Sequence, residues 1–490
     1  MLKSKILAAA LVLAAWPAQA APTVVTPEWV KHAVFYQIFP ERFANGDKRN
    51  DPPGTKPWGS APTIDNYMGG DLDGVTQHLD HLQDLGVNAI YFNPVFTSDS
   101  NHKYHTVDYM HVDPHFGGDA ALQRLIKAAH KRNIKVVLDG VFNHTGDSHP
   151  FFVDAAKNGP KSKYWNWYRI DGLPVVKNPK PNYDAWWGLP SLPKLQVAKN
   201  PDVAKYIYQV EEHWLKAGID GWRLDVPNEI DSDAFWQGFR RRAKAINPNA
   251  YIVGEIWDPA DRWLQGDQFD AVMNYQWRDA MLKFFGNDSM KAGSFDTALE
   301  GIRKRYHGNV TMAMFNVLDS HDTMRFQTEA GGDPNRLKLA SLFQMSYVGA
   351  PVIYYGDEIG LQGGKDPDDR RCFPWDKARW NQDLLAHYKQ LTAARRAHNC
   401  LATGSYRTLY KGDTDGVFAF ARQQGMDHAV VALNNSGLQR TVTLEPGPTF
   451  DNASLTDVLG SGDVKVLHGK LELHLDPRQG VLLVPRGAKR

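Results

Sequence analysis

Continuous apolar runs rich in β-branched and aromatic residues recur along the chain, separated by stretches whose apolar positions return every three or four residues. The runs at 33–39, 89–95, 136–141, 221–226, 251–257, 269–275, 313–319 and 351–358 read as strands. The periodic stretches at 75–85, 120–132, 202–216, 233–245 and 335–347 read as amphipathic helices. A strand buried on both faces shows no alternation, so apolar runs joined by such helices imply a parallel sheet covered by helices. Eight repeats predict an α/β fold of the (β/α)8 TIM-barrel type, with its active site at the C-terminal ends of the strands.

Two departures from the repeat predict further domains. The gap between the third and fourth runs is far longer than a βα loop requires. It carries Tyr164-Trp165-Asn166-Trp167-Tyr168, Trp186-Trp187 and several prolines. It reads as an inserted domain over 145–199 that walls one side of a cleft. Beyond 401 the pattern turns to short strands with turns at 416–422, 429–434, 441–444, 471–475 and 480–484. That predicts an antiparallel β-sandwich over 401–490, leaving 21–144 and 200–400 to the catalytic barrel.

Residues 1–20 read as a secretory signal: Lys3 and Lys5, an apolar stretch at 6–16, then Ala18-Gln19-Ala20. The apolar stretch falls short of the ~20 residues that span a bilayer. The mature protein is therefore expected to be periplasmic or secreted, and off the membrane. A net charge of +1 with 23% charged residues gives no sign of a nucleic-acid partner. An oxidising compartment permits a disulfide between Cys372 and Cys400, and their sequence positions leave that open.

Four segments place polar groups at the ends of apolar runs. They are Asp139-Gly140-Val141-Phe142-Asn143-His144, Gly221-Trp222-Arg223-Leu224-Asp225, Gly254-Glu255-Ile256-Trp257 and Leu318-Asp319-Ser320-His321-Asp322. Acids delivered from successive strand ends suit cleavage of a glycosidic bond through a covalent intermediate. That reaction needs a nucleophile and a proton donor roughly 5 Å apart. Arg223, two residues before Asp225, shares its face of the strand. Its guanidinium is expected to keep Asp225 ionised. A single such acid would be a solvated strand end; the four together are not explained that way.

In this order the segments resemble the α-amylase family, glycoside hydrolase family 13. The resemblance implies Asp225 as nucleophile, Glu255 as general acid/base and Asp322 as a third carboxylate supporting the distorted sugar. It gives Arg223, His144 and His321 polar contacts beside the reacting ring, Tyr104 a stacking role and Asp108 a structural one. His105 stands where many relatives carry an acid. Leu192-Pro193-Lys194-Leu195 and Val226-Pro227-Asn228-Glu229 are similar to segments of the neopullulanase, cyclomaltodextrinase and maltogenic amylase group. That similarity adds Glu229, Trp257 and Trp187 as substrate contacts.

The run Asn45-Gly46-Asp47-Lys48-Arg49-Asn50-Asp51, with Gly69-Gly70-Asp71, gathers hard oxygen donors of the kind Ca²⁺ takes; taken alone it is also an ordinary polar turn. It resembles the calcium loop of the same group. This implies a structural Ca²⁺ on Asn45, Asp47, Asn50, Asp51, Gly69 (through its carbonyl) and Asp71. The implied function is retaining hydrolysis of α-1,4 bonds in maltodextrins and starch, extending to cyclodextrins and pullulan. An α-glucosidase or α-glucanotransferase would use the same acids. A non-catalytic glycan-binding relative would typically have lost them. The N-terminal β-domain usual in the group has no counterpart before the first strand, so a monomer with an open cleft is expected.

Overall fold

The computed structural model describes residues 24–178 and 180–486, so the expected signal segment lies outside the described residues. Eight parallel strands form the barrel: β1 Phe35–Ile38, β2 Ala89–Phe92, β3 Lys135–Gly140, β4 Gly221–Leu224, β5 Tyr251–Gly254, β6 Ala271–Val272, β7 Phe315–Val317 and β8 Ala350–Tyr354. They are hydrogen-bonded in the order β6-β5-β4-β3-β2-β1-β8-β7. A parallel bridge between Met273 and Phe315 closes the ring, and Asn274 N–H donates to Phe315 O at 2.8 Å. Every strand is buried at nearly every position, which is why the sequence shows runs rather than alternation. Rings fill the floor: Phe35 meets Phe315 at 4.9 Å and Tyr251 at 5.8 Å between centroids.

The helices Gly118–Lys131, Pro201–Ala217, Asp233–Ile246 and Pro334–Ser346 lie within two residues of their expected bounds. The Pro201 helix illustrates why. Asn200 accepts from Asp202 N–H as N-cap, proline occupies the first turn, and Gly218 at φ 107° ends it. The stretch expected as one helix at 75–85 is two, Leu72–Gln77 and Leu79–Asp84, broken at His78. The apolar run at 269–275 is mostly not strand. Only Ala271–Val272 form strand, followed by the single bridge at Met273, because Asn274 caps a helix over Tyr275–Met281, accepting from Trp277 N–H.

Two excursions build the cleft above the barrel. After β2 comes a hairpin, Phe96–Ser98 against Thr106–Val112, which carries Tyr104 on its connecting loop. After β3, the described residues of 145–199 hold the α-helix Pro150–Asn158 and short 3₁₀ turns at Gly159–Lys161, Trp165–Trp167 and Trp186–Gly188, tied by isolated bridges such as His144–Lys194 and Tyr168–Leu195. Phe152, Tyr168 and Tyr183 pack edge to face at its centre.

The C-terminal part contains strands β9 Ser405–Lys411, β10 Val417–Gln424, β11 Asp427–Asn434, β12 Arg440–Leu444, β13 Ser454–Asp457, β14 Asp463–Lys465, β15 Leu471–Leu475 and β16 Gly480–Pro485. A six-stranded antiparallel sheet, β9-β10-β11-β16-β13-β14, faces the pair β12-β15 across its own apolar core. Asp296 of the barrel accepts from Thr408 and Lys411, and the buried Arg422 donates to Ser346 O and Leu401 O, so the two parts are bound by charged hydrogen bonds. Cys372 and Cys400 are both buried and free, so the two thiols are not bridged.

Candidate active site

Arg223 points from β4 into the barrel mouth and is fully buried. One terminal nitrogen donates to both Asp139 oxygens and to Asp225 Oδ1, each at 3.0 Å. The other lies 3.1 Å from Glu255 Oε2. The planar fork thus gathers carboxylates from the ends of three adjacent strands, a task suited to a guanidinium. Asp139, which ends β3, also accepts from Tyr91 OH at 2.6 Å and Tyr104 OH at 2.9 Å.

Asp225 follows β4, its N–H still donating to Gly140 O at 3.1 Å. The next residue, Val226, sits at φ 35° and ψ 50°, a region a β-branched residue enters only at an energetic cost. That turn aims Val226 N–H at Glu255 Oε2, 3.1 Å away. Trp257 Nε1 donates to Glu255 Oε1 at 3.1 Å, and its ring stacks on Tyr275 with centroids 3.5 Å apart.

Asp322 stands in the turn after β7, its side chain 30% exposed to the cleft. Its Oδ1 is 3.3 Å from His321 Nε2 and 3.9 Å from Arg370 Nη2. The tautomer of His321 follows from its partners. Gln37 Nε2, a donor, lies 2.9 Å from Nδ1, so the ring proton belongs on Nε2, facing Tyr104 OH at 2.6 Å. Burial pushes His321 well below the usual imidazole pKa. A relay of neutral groups therefore runs from Gln37 through His321 and Tyr104 to Asp139. The Tyr104 and His321 rings lie parallel, 5.4 Å apart.

Electrostatically the site differs from the expectation. Arg223 is in place, but it does not hold Asp225 low. Burial, then the charges of Glu255, Asp139 and Asp322, push Asp225 well above the ordinary carboxylate range against the pull of Arg223. Asp322 is raised to about 7 by burial and by Glu255. Asp139 is raised too, by burial against the pull of Arg223, so these three carboxylates compete for one guanidinium and their titrations are coupled.

The cleft wall comes from the segment after β3. His144 is buried, with Asn143 Nδ2 3.2 Å from its Nδ1, and its Nε2 has no protein partner. Burial holds its pKa down to about 3, so the ring is neutral with its free Nε2 as the donor. Its ring stacks on Trp186, which stacks on Trp187 at 4.6 Å. Trp187 is 81% exposed, an apolar platform of the size that a sugar face covers. Glu229 is not brought against the acids; it is exposed and accepts from Lys194 at 2.8 Å. Asp108 caps locally, accepting from Met110 N–H at 2.7 Å. Tyr91, Gln37 and Arg370 escape a reading of the sequence. The first two sit inside apolar strands and look like core.

The oxygen-rich loops meet as expected, with one exception. Asp71 is fully buried and accepts from Gly46 N, Asp47 N, Gly74 N and Asn50 Nδ2. Asn45 Nδ2 donates to Asp51 Oδ1 at 2.7 Å. Gly69, at φ 83°, lies so close to both that a Cβ would stand 2.4 Å from the Asn45 amide. The side-chain oxygens of Asn45 and Asn50 are buried without a donor, which protein interiors rarely leave so. The exception is Asp47, whose carboxylate turns to Arg49 at 2.7 Å and is held down to about 2 by it. Among the described residues no three His, Cys, Asp or Glu side chains are grouped to hold a metal. A cation here would draw on amide and carbonyl oxygens as well as Asp51 and Asp71, donors that suit Ca²⁺.

Comparison with known proteins agrees with this geometry. Residues 37–383 match the family described as alpha amylase, catalytic domain. Neopullulanase 2 of Thermoactinomyces vulgaris is 46% identical over 461 residues, covering 94% of this chain and 78% of that protein. A cyclomaltodextrinase of a Bacillus species is 49% identical over 419 residues, covering 85% and 75%. Among solved structures, the cyclic α-maltosyl-(1→6)-maltose hydrolase of Arthrobacter globiformis superposes with a TM-score of 0.86 at 36% identity, covering 94% of this chain and 99% of that one. With three acids and an arginine at the strand ends and a family match across the barrel, the chain belongs to the α-amylase family of glycoside hydrolases.

Proposed function

We propose that this glycoside hydrolase cleaves α-1,4-glucosidic bonds in maltodextrins, starch and related glucans with net retention. The observation that carries this reading is the sharing of one guanidinium by Asp225 and Glu255, each within 3.1 Å of it. That arrangement is compatible with the roughly 5 Å separation of retaining enzymes. Asp225 attacks the anomeric carbon while Glu255 protonates the leaving oxygen. Glu255 then deprotonates the water that releases the sugar. His144, His321 and Asp322 line the reacting ring, and the Trp186–Trp187 stack carries the chain beyond it. Relatives named for neopullulan- and cyclodextrin-type activities support cyclic dextrins and pullulan as further substrates. Proton NMR of the first product should show the α-anomer; a β-anomer would contradict retention. Product patterns from maltoheptaose, β-cyclodextrin, pullulan and soluble starch rank the substrates.

A structural Ca²⁺ in the Asn45–Asp71 loops is part of the proposal, supported by the two undonated amide oxygens. Asn45, Asn50, Asp51, Asp71 and the Gly69 carbonyl would hold it, clamping two loops together, with no part in the bond cleavage. An ion bound by the native state alone adds RT ln(1 + [L]/Kd) to stability. Exhaustive EDTA is therefore expected to lower Tm, and added Ca²⁺ to restore it. An unchanged Tm with no calcium found by metal analysis would remove the ion from the account. Export through residues 1–20 and a monomeric state complete the proposal. N-terminal sequencing of the mature protein and light scattering after size exclusion test them.

A further inference from the structure

The general acid/base must present one oxygen to the glycosidic bond within a few tenths of an ångström, yet Glu255 ends its strand on a flexible side chain. Besides the Arg223 guanidinium beside Oε2, two hydrogen bonds restrain it, one on each oxygen. Val226 N–H meets Oε2 and Trp257 Nε1–H meets Oε1, both at 3.1 Å. Neither donor is cheaply placed. Val226 is β-branched and held at φ 35°, and the following Pro227 and Ile230 carbonyls both accept from the buried Trp236 indole at 3.2 Å, which locks the turn. Trp257 is 46% exposed, but its stack on Tyr275 fixes the ring plane, and Tyr275 OH is itself 3.1 Å from Ser320 Oγ.

We infer that the strained Val226 turn and the Trp257 indole form a two-point brace that positions Glu255 for proton transfer. This makes both of them positioning residues, with Trp257 serving the acid as well as the cleft surface. Backbone strain kept beside a reacting group commonly signals such a role. The inference rests on the assignment of Glu255 as acid/base, and the experiment separates the two.

The readout is the ratio of kcat/KM on α-maltosyl fluoride, whose departure needs no protonation, to kcat/KM on maltotriose, whose departure does. Glu255→Gln sets the scale: a large rise in that ratio is required if Glu255 is the acid, and no rise would overturn the functional reading. Trp257→Phe keeps the ring and loses the N–H; Val226→Gly keeps the turn and relaxes it, since glycine adopts positive φ freely. Each is expected to raise the ratio by about tenfold, a fraction of what general acid catalysis contributes. Val226→Gly should do so with Tm unchanged or higher, a pattern that mere structural damage does not give. With Glu255→Gln behaving as required, an unaltered ratio in both variants would overturn the brace. So would equal losses on the two substrates.

Discussion

Asp225→Asn is expected to reduce kcat/KM on maltotriose by about 10⁴-fold or more, the scale seen when a covalent nucleophile is removed. The amide has nearly the shape of the carboxylate and can keep an oxygen toward Arg223, which now holds Asp225 at 3.0 Å. Folding and oligosaccharide binding should therefore survive, measurable as a cooperative melt and as retained affinity for a slowly cleaved maltodextrin. What is lost is the capacity to form the glycosyl ester, because a neutral amide is not a competent nucleophile. A loss of less than tenfold with the fold intact would move the nucleophile elsewhere.

Asp322→Asn is expected to separate activity from stability. Asp322 sits near 7 in the folded protein against an ordinary value of 3.8. Between those values the folded state keeps a proton that the unfolded chain has released. The group therefore favours folding fully at low pH, and that contribution is lost as pH rises through about 7. Replacing it with Asn removes a charge repelled by Glu255 and Asp139. At pH 8 the variant should be more stable by on the order of 1–2 kcal/mol, a discounted share of the 1.4 kcal/mol per pKa unit. At pH 4 the difference should vanish. Turnover should nevertheless fall by about 10³-fold, because the distorted sugar loses its charged support. Paired melts at pH 4 and 8 check this; a variant less stable at pH 8 would contradict the electrostatic account.

The candidate acids were legible as a set because Asp139, Asp225 and Glu255 each close a run of buried strand, where a carboxylate has no packing reason to be. The barrel was legible for the same reason. Its details were not. The apolar run at 269–275 conceals a helix start, since Phe269 is buried against Trp236 in a loop rather than a strand. The hairpin that aims Tyr104 was missed because its second strand, Thr106–Val112, mixes buried and half-exposed positions without clear alternation. Strands β9 and β14 bury no residue, and β13 alternates over only four residues, so none of them forms an apolar run. Tyr91 and Gln37 resemble core residues until the fold turns their polar ends toward Asp139 and His321. The expected pKa of Asp225 was reversed because one arginine is visible in the motif, while the crowding of four acids appears only in three dimensions.

The central claim is that Asp225 carries the sugar between the two half-reactions. It is tested most directly by mass spectrometry of peptic peptides from the Glu255→Gln enzyme quenched during turnover of α-maltosyl fluoride. The fluoride loads without acid assistance, and loss of the base slows release. The account predicts a maltosyl adduct on the peptide containing Asp225. Turnover with that peptide unmodified, or an adduct on any other carboxylate, would contradict it.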